Sequence, residues 1–298
     1  MERGRYTLIT AARNEEKFLR HPVESVLSQK ILPQKWVIVS DGSTDRTDEI
    51  VKKYAAKHSF MEYLRRDVGG QKADFASKVH ALRMGCKCLR GIPYEYIGNL
   101  DADISLGDDY YEKTISRFQL NPKLGIAGGC IHEFDRGSFR SRTIYNPRSV
   151  PGAIQLFRRD CFEKIGGLVP VKCGGEDWIA ETMARIHGWD VESFPDVKAW
   201  HHKGGAATRG VWRERWRQGG MDYAIGSHPL FEGMKCLVRV RQKPLLLGAL
   251  VRMTGFVFSC CRKEERPVPP EFIDYLRREQ LHRLRSKIKM NAGEEGGR

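Results

Sequence analysis

Between Tyr6 and Ile131 the sequence alternates short apolar, β-prone runs with longer stretches of helical periodicity. The runs are Tyr6–Ala12, Trp36–Ser40, Met61–Leu64, Tyr94–Leu100 and Leu124–Ile131. Between them, helices are expected over Glu15–Gln29, from the DGSTD turn to about Lys57, over Lys72–Leu89 and over Asp108–Asn121. Lys72–Leu89 carries Phe75, Val79, Leu82 and Cys86 at helical spacing. Pro22 either starts or kinks the first helix. Apolar strands separated by helices of this length point to a mainly parallel sheet covered on both faces. The expected class is therefore α/β. In such sheets ligands bind beyond the carboxyl ends of the strands. Three polar clusters fall at such ends: Arg13-Asn14-Glu15, Asp41 with its turn, and Asp101 with Asp103.

Asp101 and Asp103 follow the run YEYIGNL. Strand alternation puts residues two apart on the same side, so both carboxylates leave the strand end together. They repel unless something positive sits between them, and Mg²⁺ or Mn²⁺ completed by phosphate and water meets that need. A capping turn into the Asp108 helix is the competing reading; the position after a buried strand favours the metal.

The remaining sequence is less regular. His132–Arg148 is polar, basic and turn-rich, and reads as a long loop. Pro151–Phe157 reads as a strand at the floor of a cleft, Gly174–Gly188 as GGEDW leading into a helix, and Asp190–His202 as one or two short strands. The chain of 298 residues has a formal charge of +14, and Lys203–Lys243 holds nine basic residues against three acidic ones. A solvated helix face or a surface meeting phospholipid headgroups or a pyrophosphate-bearing acceptor would explain that excess. The eight cysteines show no metal-binding spacing, as expected of free thiols in a reducing compartment. No signal-peptide apolar core precedes Tyr6, so a cytoplasmic location is expected. Pro244–Cys261 is the most hydrophobic segment but carries Arg252 near its centre. A central Arg costs roughly 2.5–3.5 kcal/mol on insertion scales, so the segment is expected to lie in a bilayer interface or a groove, or to form a core helix, rather than to span. Glu271–Lys289 follows as a basic amphipathic helix.

ITAARNEE, VSDGSTDRT, NLDADI, GAIQLFRRDCFEKIGG and GGEDW occur in this order. Together they resemble the inverting family 2 glycosyltransferases with the glycosyltransferase-A fold, over roughly Tyr6–Gly233. The downstream GGMDYAIGSHPLF is similar to bacterial polysaccharide enzymes of that family. The resemblance implies a catalytic domain over 1–233, which leaves a C-terminal helical segment over 234–298; the basic 203–243 region and the Pro244–Cys261 helix are the grounds for expecting that segment to meet a membrane interface. It implies that Asp41 contacts the nucleobase or ribose of a nucleotide-sugar donor, as a carboxylate can. Ala12, Asn14 and Glu15 would line the nucleotide pocket, although Asn14 and Glu15 also suit the start of a helix. Lys72 and Lys78 lie in a region that lines the donor site in relatives, but GGQKADFASK departs from the usual pattern, and a solvated helix face is the preferred reading of both. Asp101 and Asp103 would hold the metal, one of them through water or ribose, with His201 and His202 beside the metal or the diphosphate. Asp177 would be the catalytic base, with Glu176 as its rival and an N-cap as the plainer role. Gln155, Arg158, Arg159 and Trp178 would border the sugar, the acceptor or the diphosphate. Asp45 reads as a helix cap instead.

The expected activity is metal-dependent inverting transfer from a nucleotide-diphosphate sugar, UDP-linked in preference to GDP-linked. The acceptor would be a glycan or lipid-linked sugar at the cytoplasmic face of an anionic membrane. A sugar nucleotidyltransferase would need a Gly-rich basic loop where this chain has Ala-Ala-Arg-Asn-Glu. A nucleic-acid-binding protein would leave the acidic pairs unexplained, so no nucleic acid is expected as partner.

Overall fold

The computed structural model describes residues 4–69, 74–135, 138–141, 146–203, 210–239 and 247–295. In chain order the elements are β1 (Tyr6–Ala12), α1 (Arg20–Leu27), β2 (Lys35–Asp41), α2 (Thr47–Ala55), β3 (Met61–Arg66), α3 (Phe75–Lys87), β4 (Tyr96–Asn99), β5 (Ile104–Leu106) and α4 (Tyr110–Leu120). Then come β6 (Leu124–Asp135), β7 (Ser138–Ser141), β8 (Leu156–Arg158), α5 (Arg159–Lys164), α6 (Glu176–Ile186) and β9 (Asp190–His201). The helices α7 (Val211–Ala224), α8 (Pro229–Arg239), α9 (Leu247–Cys261) and α10 (Pro270–Glu295) complete the described chain.

The sheet runs β3-β2-β1-β4-β8-β6-β9-β5, with β7 on β6. Its first four strands are parallel, as the alternating pattern requires. β8 then enters antiparallel between β4 and β6, while β6 and β9 pair in parallel. β1 and β2 are buried almost end to end, which is why they read as apolar runs without alternation. Trp36 is fully buried and satisfies its indole N–H by donating to Thr10 Oγ1 at 3.0 Å. Tyr6 stacks on Tyr111 at 4.4 Å and donates to the Ile31 carbonyl at 2.7 Å, tying β1 to the helical layer.

Three expectations are corrected. His132–Arg148 is not a loop throughout, because β6 continues to Asp135 and β7 pairs back on it with Glu133 opposite Arg140. The expected strand over Pro151–Phe157 is only Leu156–Arg158, since the preceding segment instead supplies carbonyls to the site, with the Ala153 carbonyl accepting from Asp101 N–H at 3.0 Å. The first helix starts at Arg20, so Asn14 does not cap it.

The chain forms two compact units, Met1–Pro170 with Glu176–Ala206, and Val171–Gly175 with Ala207–Arg298. The first holds the sheet and α1–α6, and the second holds α7–α10. Within the second, α7 and α9 cross with their backbones in contact. A Cβ at Gly219 would strike the Arg252 carbonyl, and one at Gly255 the Trp216 carbonyl. Arg252 is buried against Glu232 and Asp222, whose carboxylates offset its charge at the centre of the most apolar segment. No helix among the described residues is long and apolar enough to cross a membrane. The cysteines are free thiols.

Candidate active site

At the carboxyl end of β1, Asn14 takes a left-handed backbone with φ of 55°, a conformation Asn tolerates better than most residues. It is held by the β2–α2 turn: its N–H donates to Ser43 Oγ at 3.2 Å and its side-chain oxygen accepts from Thr44 N–H at 2.8 Å. The Glu15 N–H donates to Thr47 Oγ1 at 2.8 Å. Asp45 accepts from the N–H groups of Thr47 at 3.0 Å and Glu16 at 3.1 Å, a turn-making role. These bonds close the loop after β1 onto the loop after β2, with Ala12 buried beneath.

Asp41 ends β2 and is almost fully buried. Arg66 Nε donates to its Oδ1 at 2.5 Å and Ser77 Oγ to its Oδ2 at 2.6 Å. Both oxygens are oriented while lone pairs stay open for further donors.

The chain leaves β4 at Asn99 and delivers Asp101 and Asp103 to the same region as β9's end. Lys78 Nζ lies 2.6 Å from Asp101 Oδ1. His201 Nε2 lies 3.3 Å from Asp103 Oδ2. Burial pushes Asp101's carboxyl above the usual aspartate range, with Lys78 opposing and Asp103 adding to the rise. Burial acts the same way on Asp103, but the hydrogen bond and charge of His201, with Lys203 and Lys78, outweigh it and hold that carboxyl low. The bond to Asp103 in turn raises His201, against its burial. Glu15 faces the same cluster: burial raises its carboxyl, Lys203 opposes at 2.6 Å, and Asp103 and Asp101 add to the rise.

Lys78 links this group to α6. Burial alone would depress its ammonium, but Asp101, Glu176, and Asp177 hold it above the usual lysine range. Glu176 is buried and its carboxyl is raised by that burial, with Lys78 opposing. Asp177 is half-buried in the first turn of α6, where the helix dipole favours an anion, and its Oδ1 accepts from Trp178 N–H at 2.8 Å. The loop before β8 runs beside it so closely that a Cβ at Gly152 would sit 2.8 Å from Asp177 Oδ2. Trp178 is half-buried in the same turn.

The other expected residues divide. Gln155 is buried and donates to the Val150 carbonyl at 3.2 Å and the Asp177 carbonyl at 3.5 Å, so it ties the loop before β8 to the first turn of α6. Arg158 and Arg159 are corrected. β8 runs against β4, so Gln155 stands at the Asp101 end while Arg158 pairs with Tyr96 at the start of β4. Five steps of extended chain lead from Tyr96 to Asp101, about 16 Å of rise. There Arg158 donates to the Leu124 carbonyl at 3.0 Å and the Phe118 carbonyl at 2.8 Å, and Arg159 pairs with Glu163 at 2.7 Å. His202 stacks on His21 at 3.8 Å and its Nε2 lies 2.7 Å from Ser105 Oγ. Burial, then His21, pushes its imidazolium down to about 4. Lys72 lies outside the described residues.

Lys78 is the residue sequence reasoning passed over as a solvated position. It stands three residues after Phe75 and one before Val79, inside the buried stripe of α3 rather than opposite it. A lysine within an apolar stripe was the available signal.

Among the described residues no three His, Cys, Asp or Glu side chains converge as a ready-made metal cage. The donor set fits a hard divalent cation of the kind completed by phosphate and water. Asp103 and His201 adjoin one another, and Glu15 Oε2 is buried without a hydrogen-bond partner.

The model of the glycosyl transferase family 2 matches residues 7–175. The chain belongs to that family. The match stops just before Glu176 and Asp177, so their reading rests on the geometry above. The family 2 chain is 28% identical over 243 residues to a poly-beta-1,6-N-acetyl-D-glucosamine synthase of Staphylococcus epidermidis, covering 74% of this chain and 55% of that protein. A synthase of the same name from Staphylococcus aureus strain COL is 25% identical over 244 residues, with the same coverage. The chain thus spans about half the length of the curated relatives it matches. A mannosyltransferase of Pyrobaculum calidifontis, solved with GDP-Man and Mn²⁺, superposes with a TM-score of 0.56 at 20% identity, over 88% of this chain and 76% of that one. Residues 1–349 of S. aureus TarS, solved with UDP-GlcNAc, superpose with a TM-score of 0.54 at 12% identity, over 88% of this chain and 74% of that one. These likenesses establish the glycosyltransferase-A fold.

Proposed function

We propose that this chain is a divalent-cation-dependent, inverting glycosyltransferase. It moves a sugar from a nucleotide-diphosphate donor, UDP-linked in preference to GDP-linked, to a glycan or lipid-linked acceptor in polysaccharide or cell-envelope synthesis. The observation that carries the reading is Lys78, which pairs with Asp101 and faces Glu176 and Asp177. It joins the acidic pair at the strand end to the acidic pair at the helix start in one charge cluster. The glucosamine-polymer synthases among the relatives, and the UDP-GlcNAc held by TarS, support UDP-N-acetylglucosamine as the first donor to test. The GDP-Man and Mn²⁺ of the mannosyltransferase support the cation and keep a GDP-sugar in the screen.

In this reading Asp41, aligned by Arg66 and Ser77, accepts from the base or ribose of the donor. The loop of Ala12, Asn14 and Glu15 lines the nucleotide pocket. Asp103, with His201 and Asp101, would hold Mg²⁺ or Mn²⁺. When bound, the cation offsets charge on the departing nucleoside diphosphate. Lys78 and Lys203 add positive charge on the same side. Asp177 takes the proton of the acceptor hydroxyl as that oxygen bonds to the anomeric carbon and the carbon–oxygen bond to the diphosphate breaks. Glu176 is the less accessible of the two, buried where Asp177 is half-buried, so Asp177 is assigned the acceptor's proton. Gln155 and Trp178 position the α6 start.

The test is thermal stabilisation and slow hydrolysis with UDP-GlcNAc, UDP-glucose and GDP-mannose, each with and without Mn²⁺ or Mg²⁺. A metal-dependent upward shift with at least one donor is expected; no shift with any donor and either ion refutes the proposal.

A further inference from the structure

α8 and α9 are amphipathic in the opposite sense to helices bathed in water. On α8, Glu232 is 0% exposed while Leu237 is 67% exposed. On α9, Arg252 is 4% exposed while Leu250 is 59% exposed. Leu230, Leu237 and Val238 form an outward stripe on the first helix, and Leu247, Leu250 and Val257 one on the second. The inward faces carry the charge. Arg252 donates to Glu232 at 2.7 Å, to Gln218 at 2.7 Å and to Asp222, while Lys235 reaches Asp222 at 2.8 Å and Glu232 at 2.9 Å. This inversion satisfies the polar groups internally and leaves apolar surface that water does not favour.

Charge decides what covers that surface. From the first residue of α7 to the last of α9 there are eight Lys and Arg against three Asp and Glu. All three acids are engaged with bases of the same unit: Asp222 and Glu232 as above, and Glu214 with Arg217 at 2.5 Å. The charge left to meet a partner is cationic, with Arg213 exposed on α7 beside the exposed aromatic rings of Trp212 and Trp216. A second copy would bring the same cationic surface and the same +14 net charge, which disfavours self-association. α9 has 15 residues, about 22 Å against a hydrocarbon core of about 30 Å, so it is suited to lie along a bilayer rather than through it. We infer that the α8–α9 face docks onto the surface of an anionic lipid bilayer, with its apolar stripes at the acyl boundary and basic residues of α7–α9 at the headgroups.

The inference stands apart from the catalytic reading, because vesicle binding needs no donor. The full chain is floated with vesicles of phosphatidylcholine alone and of phosphatidylcholine mixed with phosphatidylglycerol. Binding to the mixed vesicles is expected, weakening severalfold between about 0.1 and 0.5 M salt. Leu237→Asp and Leu250→Asp, both at exposed positions, should each lower partition about tenfold with the melting temperature unchanged. Three outcomes overturn the proposal: absence of binding to mixed vesicles, binding by either variant equal to that of the parent chain, or a dimer in light scattering that either variant disperses. Donor-induced stabilisation on the same samples reports separately on the active site.

Discussion

Replacing Lys78 by Met tests whether the ammonium neutralises the site or also serves the reaction. In the folded chain it meets Asp101 at 2.6 Å, with the two side chains 25% and 29% exposed. Removing one partner of a fully buried pair costs about 3–5 kcal/mol, whereas exposed pairs contribute about 0–1. Water reaches roughly a quarter of each group here, so the cost should be about 1–2 kcal/mol. For a body of this size that is roughly 2–8 °C in melting temperature. Adding Asp101→Asn removes the stranded charge and should recover most of that loss. Sugar transfer should not recover. A missing cation facing the departing diphosphate is expected to cost at least about a hundredfold in kcat, near 2.7 kcal/mol. The assay is differential scanning fluorimetry on both variants beside single-turnover transfer with the donor identified in the screen. If Lys78→Met melts with the parent, the ion pair does not stabilise the fold. If it retains transfer within threefold, Lys78 has no part in the chemistry.

Asp177→Asn should retain donor binding and lose about a thousandfold in kcat, while Glu176→Gln loses no more than about tenfold; the reverse order in steady-state rates would exchange their roles. Arg158→Ala should lower stability by about 2–3 kcal/mol, because the Leu124 and Phe118 carbonyls lose a charged donor, and leave donor affinity unchanged by calorimetry. Arg252→Met should cost about 3 kcal/mol in urea unfolding, softened by Lys235, which still holds Asp222 and Glu232; a cost below about 1 kcal/mol would mean the cluster is not held as described. Burial lifts the Glu181 carboxyl above the usual glutamate range, so the folded chain keeps that proton to higher pH than the unfolded chain does. Its contribution is therefore complete below the unfolded value and declines as pH rises through the raised one. Glu181→Gln should remove that part of the slope in urea titrations run upward from the ordinary glutamate range, about pH 4; a slope identical to the parent's would refute it.

The parallel half of the fold was legible because β1 and β2 are buried on both faces and read as unbroken apolar runs. β5 escaped because three residues leave no periodicity to read, and β7 because its partner pairing, not its polar composition, makes it a strand. Within the site, Asp41, Asp101 and Asp103 announced themselves by following such runs. Arg158 misled because strand direction is not written in QLFRR: the antiparallel entry of β8 puts Gln155 at the Asp101 end of β4 and Arg158 at its start. Lys78 was hidden by the habit of assigning lysines to solvent, although its helical phase placed it with Phe75, Val79 and Leu82. Arg252 looked like a defect in an apolar helix until its acidic partners arrived from α7 and α8, far away in sequence.

The bare backbone at position 152 has a practical corollary. A single methyl group there would press on the Asp177 carboxylate. On the proposed assignment of Asp177 as the base, position 152 is a dimmer for turnover: a place where an engineer would slow sugar delivery without touching the residues assigned to the donor.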